Sequence, residues 1–179
     1  ALVYLRLLGR TDVGAYQFLV VFTTYLDTLV DFGLNALMAR EVSRGTVGAG
    51  AAFRAVNLVR LGLWLAGLPL VGLVYGPLRP ATNLPDDAVL AGWVFYVALL
   101  PSVLAKTTSG LLWAAERLEV TAAVSIVTTI LKTVLGTAAL FAGYGFVGLA
   151  ATSLVVNTVT AALLLMLSAG ARSGERAAG

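Results

Sequence analysis

Six polar or charged side chains lie inside long apolar stretches of this sequence, and they could carry its chemistry. A carboxylate in a low-dielectric cavity can take up a proton or hold a sodium ion. An ammonium group in the same setting can hold an anion, above all a phosphate. The ion-coupling candidates are Asp27 and Asp31, and the substrate-binding candidates are Arg60, Lys106, Lys132 and Asn157.

Composition shows what must surround these side chains. The chain is 59% apolar and only 12% charged, whereas an ordinary soluble domain has about 25% charged residues. So few polar residues could not cover the surface of a soluble fold of this length, but lipid can act as the solvent for the outer faces. The 179 residues include no cysteine and no histidine. This excludes disulfides, thiol nucleophiles, Cys/His zinc sites and a Ser-His-Asp triad within the chain.

The apolar runs predict an all-α membrane protein. A spanning helix needs roughly 20 mostly apolar residues, and five complete candidates occur, at residues 13–43, 52–76, 87–116, 118–142 and 145–169. Residues 1–10 are predicted to be the remnant of a truncated first helix, and residues 170–179 a polar tail. The expected fold is one bundle of about six transmembrane helices. Barrel strands are a poor alternative because these apolar runs are continuous.

Basic residues set the expected orientation of the bundle. Arg40, Arg44 and Arg54 surround the connection after the first complete helix, and short cytoplasmic loops are enriched in lysine and arginine. The connection around Asp86 then falls on the outer side. We therefore expect a multi-pass protein, and the same positive charges include no cluster that suggests binding to nucleic acid.

The polar residues at membrane depth fall on one face of each predicted helix. Serine and threonine on such a face can serve helix packing, but a central charge costs roughly 2.5–3.5 kcal/mol on insertion scales. Two explanations for the charges remain open. Either Lys106 or Lys132 pairs with Asp27 or Asp31, or the lysines line an aqueous cavity and bind an anion. Arg60 could also mark the cytoplasmic boundary of its helix.

Four segments of the chain resemble, in order and spacing, the polysaccharide flippases of the Wzx type. Residues 4–18 resemble the first-loop signature, and residues 30–44 resemble the end of the second helix, where Asp31, Gly33 and Arg40 match the family motif. Residues 110–120 resemble the connection between the fourth and fifth helices. Residues 143–150 resemble the turn into the sixth. These flippases belong to the superfamily that includes MATE multidrug exporters and the lipid II flippase.

The resemblance implies an architecture and an activity. The chain would be the N-terminal lobe of a two-lobe MATE-like transporter, with a second helical bundle as its partner. It would move polyprenyl-diphosphate-linked oligosaccharide across the bacterial plasma (inner) membrane by alternating access, without enzymatic activity and without a cofactor or metal. Membrane lipids and a polysaccharide polymerase or glycosyltransferase machinery are the other expected partners.

Three other functions compete with this interpretation. A MATE-like cation-coupled drug exporter would favour an anionic pocket, which Lys106 and Lys132 oppose. A membrane-embedded glycosyltransferase or ligase would need catalytic groups in a sizeable outer loop, where Asp86 and Asp87 are the candidates. A purely structural subunit would explain the spans but not the central charges.

Overall fold

The computed structural model describes residues 10–115 and 118–177, with side chains described for 13–115 and 118–168. This part of the chain forms seven helices and no strand. They are α1 (Arg10–Asp31), α2 (Leu34–Ser43), α3 (Ala49–Tyr75), α4 (Arg79–Thr82), α5 (Asp86–Ala114), α6 (Leu118–Phe141) and α7 (Gly145–Ala177). The predicted remnant at residues 1–10 lies outside the described residues except for Arg10, with which α1 begins.

Five stretches of the described chain are long and apolar enough to cross a bilayer. They are Val13–Ser43, Ala49–Tyr75, Asp86–Ala114, Leu118–Phe141 and Gly145–Ser168. In the most apolar windows of these spans, only 17–44% of the residues are buried inside the bundle. The remaining apolar surface needs lipid as its solvent, because water would oppose its exposure. The fold class is therefore the one predicted, a helical transmembrane bundle.

Helix α5 lies at the centre of the bundle and contacts α1, α2, α3, α6 and α7. Its buried positions include many small residues, and small side chains let neighbouring helices approach closely. At Gly110, an added Cβ would stand 2.7 Å from Met38 Cε of α2. These small buried residues of α5 are Ala88, Ala91, Gly92, Ala98, Ala105 and Gly110.

Aromatic side chains fix the contact between α3 and α5. The rings of Trp64 and Tyr96 stack with centroids 4.9 Å apart. Trp64 Nε1 donates to the Tyr96 carbonyl at 3.1 Å, and the Tyr96 hydroxyl donates back to the Trp64 carbonyl. Gly67 makes room for this arrangement, since a Cβ there would lie 2.8 Å from the Tyr96 hydroxyl. The register between α3 and α5 is thereby fixed, and this register positions Arg60.

The first complete span, predicted as one helix over residues 13–43, is interrupted about two thirds of the way along, between a helix of 22 residues and one of 10. Helix α1 ends at Asp31, and α2 begins at Leu34 after two residues with positive φ, Phe32 at 38° and Gly33 at 72°. A glycine adopts this left-handed conformation without the steric cost that a Cβ brings. The interruption places Asp31 at the end of one helix and Asn35 in the first turn of the next.

At the other end of the chain, α7 continues as a helix to Ala177. The sequence predicts a polar tail from residue 170, so the helical part of the chain is longer than expected there. The other spans differ from their predicted bounds by at most three residues at either end, and helix ends are commonly assigned with an uncertainty of about one or two residues.

Candidate functional site

Four of the five spans line an open cavity of about 420 Å³ at membrane depth. The polar faces predicted for the separate helices meet on its wall. Carboxylate, amide, hydroxyl and ammonium groups all contribute, so the wall carries polar and charged groups in spans that are otherwise apolar. The polar lining residues are Asp31, Asn35, Ser102, Lys106, Ser109, Thr121, Ser125, Thr128, Thr129, Lys132, Asn157 and Thr160.

Lys106 stands on α5 and pairs with Asp27 of α1. Its Nζ donates to Asp27 Oδ2 at 2.7 Å. The pair is only partly enclosed, since the two side chains are 32% and 30% exposed. The other carboxylate oxygen, Asp27 Oδ1, is buried and has no hydrogen-bond partner among the described residues. The pair therefore links two helices while leaving one of its acceptors unsatisfied.

Asp31 pairs with Arg60, and the surrounding side chains form a connected network. Arg60 is fully buried, and its guanidinium also donates to Asn35 Oδ1 at 3.0 Å and to the Thr107 hydroxyl. The Thr107 hydroxyl in turn lies 3.0 Å from Asn57 Oδ1. Charge-assisted hydrogen bonds of this kind are about twice as strong as neutral ones. Through Asp31 and Asn35, Arg60 joins the two sides of the interruption in the first span.

Lys132 on α6 differs from the other two basic residues. It forms no ion pair and no hydrogen bond with any side chain that the structure describes. Its own side chain is exposed and not covered by the neighbouring helices. It lines the 420 Å³ cavity and also a second cavity of about 270 Å³, which contacts Asp27. Lys132 shares one face of α6 with Thr121, Ser125 and Thr128, because these residues recur at spacings of three and four. This face of α6 lines the larger cavity.

Asn157 on α7 lines both cavities as well. Its Nδ2 donates to the carbonyl of Ala98 at 3.0 Å, which joins α7 to α5 just before Pro101 of that helix. The amide oxygen Oδ1 makes no hydrogen bond with a described residue. Thr121 Oγ1, also on the cavity wall, is buried without a partner in the described part of the chain. Each of these two side chains thus retains hydrogen-bonding capacity at the cavity.

A comparison with known proteins adds a family to this geometry. Residues 1–172 match the family described as polysaccharide biosynthesis protein. The chain belongs to this family. No curated protein and no solved structure matches the chain. Membership in the polysaccharide biosynthesis protein family, together with the spans, supports a role in polysaccharide synthesis or export for a multi-pass membrane protein.

The structure of this family member brings five of the six candidate residues to two cavities that share lining residues. Asp31, Lys106, Lys132 and Asn157 line the larger one, and Asp27 lines the smaller one. Arg60, predicted as a binding residue, is instead enclosed behind Asp31 and lines neither cavity. Its burial follows from its position on the face of α3 that also carries Val56, Gly67 and Val71, all buried.

Sequence reasoning missed the partners that enclose Arg60. Thr107, which is fully buried, and Asn57 were not expected in its network. A signal was available, since Asn57 and Arg60 lie three residues apart and share a helix face. Of the two explanations left open for the charges, ion pairing applies to Lys106. Placement on a cavity wall applies to both lysines, and Lys132 is the one without a partner in the described residues.

Proposed function

We propose that this family member is one lobe of a flippase that moves polyprenyl-diphosphate-linked oligosaccharide across the bacterial plasma membrane. The observation that carries the proposal is Lys132, which has no partner among the described residues and stands on the wall of a cavity lined by polar side chains at membrane depth. An unpaired ammonium group there is costly unless something neutralises it. A diphosphate can do so, and lysine binds phosphate as a point charge.

The rest of the cavity suits a sugar-bearing headgroup. Hydroxyl groups of Ser102, Ser109 and Thr160 and the amide of Asn157 line it, and such groups can donate to and accept from sugar hydroxyls. The isoprenoid chain would remain in the lipid, beside the apolar outer faces of the helices. Transport of a lipid-linked sugar requires that the headgroup lie inside the cavity while the isoprenoid remains outside it.

Transport by alternating access needs a second wall that moves against this one. We infer that a second helical bundle closes the open side of the cavity and that the two bundles rock around the bound headgroup. We further propose that the protein acts as a transporter and not as an enzyme, in association with the polymerase or glycosyltransferase machinery that makes and uses its substrate. The two carboxylates at the cavities each form an ion pair with a basic residue, Asp31 with Arg60 and Asp27 with Lys106.

The rival functions meet specific obstacles in the described chain. A drug exporter for cations would place Lys132 against a like charge. A ligase with its catalytic groups in the outer connection would rely on Asp86 and Asp87. The Asp86 carboxylate pairs with Arg79, and the connection between α3 and α5 is too short to form a site alone. These features favour the flippase.

The test is complementation of a flippase-deficient strain by the full-length protein. Lys132→Gln should abolish glycan export, because the substitution removes the charge while keeping a polar side chain of similar length. Lys132→Arg is the matched control and should retain export, since it keeps the positive charge. Normal export by Lys132→Gln at wild-type expression would overturn the proposal. If Lys132→Gln lost cation efflux and kept glycan export, the result would favour the drug exporter.

A further inference from the structure

Lys106 and Lys132 line the same cavity, yet only Lys106 is held by a carboxylate. The larger cavity contacts both lysines, and the smaller one contacts Lys132 and Asp27. The two cavities share Ser102, Lys132 and Asn157 as lining residues. Asp27 thus lies next to the cavity that the proposed substrate would enter, with its Oδ2 accepting from Lys106 Nζ at 2.7 Å.

The pair between Lys106 and Asp27 is held less completely than the pair between Arg60 and Asp31. Each pair leaves one buried atom without a partner in the described chain, Asp27 Oδ1 and Arg60 Nε, so the two pairs differ in their exposure and in the number of bonds that hold the basic residue. About a third of each side chain is exposed. Arg60, in contrast, has no exposed surface and bonds to three side chains. Of the two basic residues, Lys106 is therefore the one that can change partner.

We propose that Asp27 is an internal counter-ion that a diphosphate displaces from Lys106, so that Asp27 limits substrate affinity and assists substrate release. The inference rests on the proposed function, because the displacing anion is the substrate diphosphate. Lys132 has no partner to leave and receives the first phosphate. Lys106 then exchanges the Asp27 carboxylate for the second phosphate, and it returns to Asp27 when the substrate departs.

Asp27 acts in this scheme as a positioning residue, since it touches Lys106 and not the substrate. Its effect should depend on the number of phosphates in the ligand. A monophosphate can be held by Lys132 alone and does not require the exchange at Lys106. A diphosphate that engages both lysines must compete with Asp27. Removing the charge of Asp27 should therefore strengthen binding of the diphosphate selectively.

The experiment measures binding to the full-length protein in lipid nanodiscs by calorimetry, with geranyl diphosphate and geranyl monophosphate as probes. We expect Asp27→Asn to lower the Kd of geranyl diphosphate on the order of tenfold and to leave that of geranyl monophosphate little changed. Glycan export by the same variant should fall, because release becomes slower. Asp27→Glu, which keeps the charge, is the matched control and should retain the wild-type Kd for both probes.

A double-mutant cycle separates this exchange from a structural role of the pair. In a Lys106→Gln background, Asp27→Asn should have no further effect on the diphosphate, because the group it competes for is gone. Should Asp27→Asn fail to assemble, Lys106→Gln alone carries the test: it should weaken binding of the diphosphate and leave the monophosphate unaffected. An unchanged or higher Kd for the diphosphate in folded Asp27→Asn would overturn the inference, as would an equal change for both probes.

The failure of this inference can be told apart from the failure of the proposed function. If the wild-type protein binds geranyl diphosphate and Lys132→Gln abolishes that binding, the anion site stands, and a silent Asp27→Asn then overturns the exchange alone. If the wild-type protein binds neither probe, both the exchange and the proposed anion site are overturned.

Discussion

Arg60 and Lys132 carry the same charge inside the same bundle, yet their surroundings are opposite. Arg60 is fully enclosed, and its charge is matched by Asp31 with further bonds to Asn35 and Thr107. Lys132 stands on the cavity wall with no partner among the described side chains. The first arrangement stabilises the bundle, whereas the second leaves a positive charge available to a ligand.

The comparison teaches how to separate structural from functional charges in a membrane protein. Both residues carry a penalty for leaving water. For Arg60 the protein itself supplies the compensating groups, so the residue holds α1, α2, α3 and α5 in place. For Lys132 we propose that the compensating groups are water in the open cavity and the substrate. The site thus consists of a rigid centre built on Arg60 and a responsive wall that carries the lysines.

The largest effect is expected when the rigid centre is broken. Arg60→Met leaves Asp31 without its partner in a partly enclosed position and should lower the free energy of unfolding by about 3 kcal/mol. The measurement is unfolding in detergent, followed by the fraction of protein that remains monodisperse. The double variant Arg60→Met/Asp31→Asn removes both charges and should recover much of the loss. Wild-type stability of the single variant would show that the enclosed pair is dispensable and would break the comparison.

The next prediction concerns access from water to the responsive wall. Because the chain contains no cysteine, single introduced thiols can be followed without background. Lys132→Cys should react with a membrane-impermeant, charged thiol reagent on the order of tenfold or more faster than Val71→Cys, since reactivity follows exposure. Val71 is the control because it is fully buried in the core between α3 and its neighbours. Equal rates would mean that the wall carrying Lys132 is not wet.

A smaller effect is expected at the interruption that Arg60 joins. Gly33 has φ +72°, and an alanine in this left-handed conformation costs about 1 kcal/mol or slightly more. Gly33→Ala should therefore destabilise the bundle by about that amount in the same unfolding assay. Gly62→Ala is the matched control, because Gly62 lies inside α3 with open space around its Cβ position. The control should be neutral or stabilising, and a similar loss in both variants would argue against a special role for the interruption.

Some of this site could be predicted from single helices read one at a time. The stripe of Thr121, Ser125, Thr128 and Lys132 follows from helical periodicity, and the structure shows that face on the cavity wall. The pair between Lys106 and Asp27 was one of two open explanations, because periodicity gives the face of a residue and not its partner on another helix. Arg60 is a binding candidate in the sequence because a charge within an apolar helix needs a partner. Its burial depends on the register between α3 and α5, which Trp64 and Tyr96 fix and which the sequence of one helix does not show.

By itself, the sequence determined that this chain is a helical bundle in lipid, because apolar runs of spanning length with so few charges have no other stable solution. It also determined which residues are costly at membrane depth. Only the tertiary structure decided which costly charge is neutralised from within. Asp27 and Lys106 are 79 residues apart, and Asp31 and Arg60 are 29 apart. Contacts over such separations arise from helix packing, which local patterns do not encode.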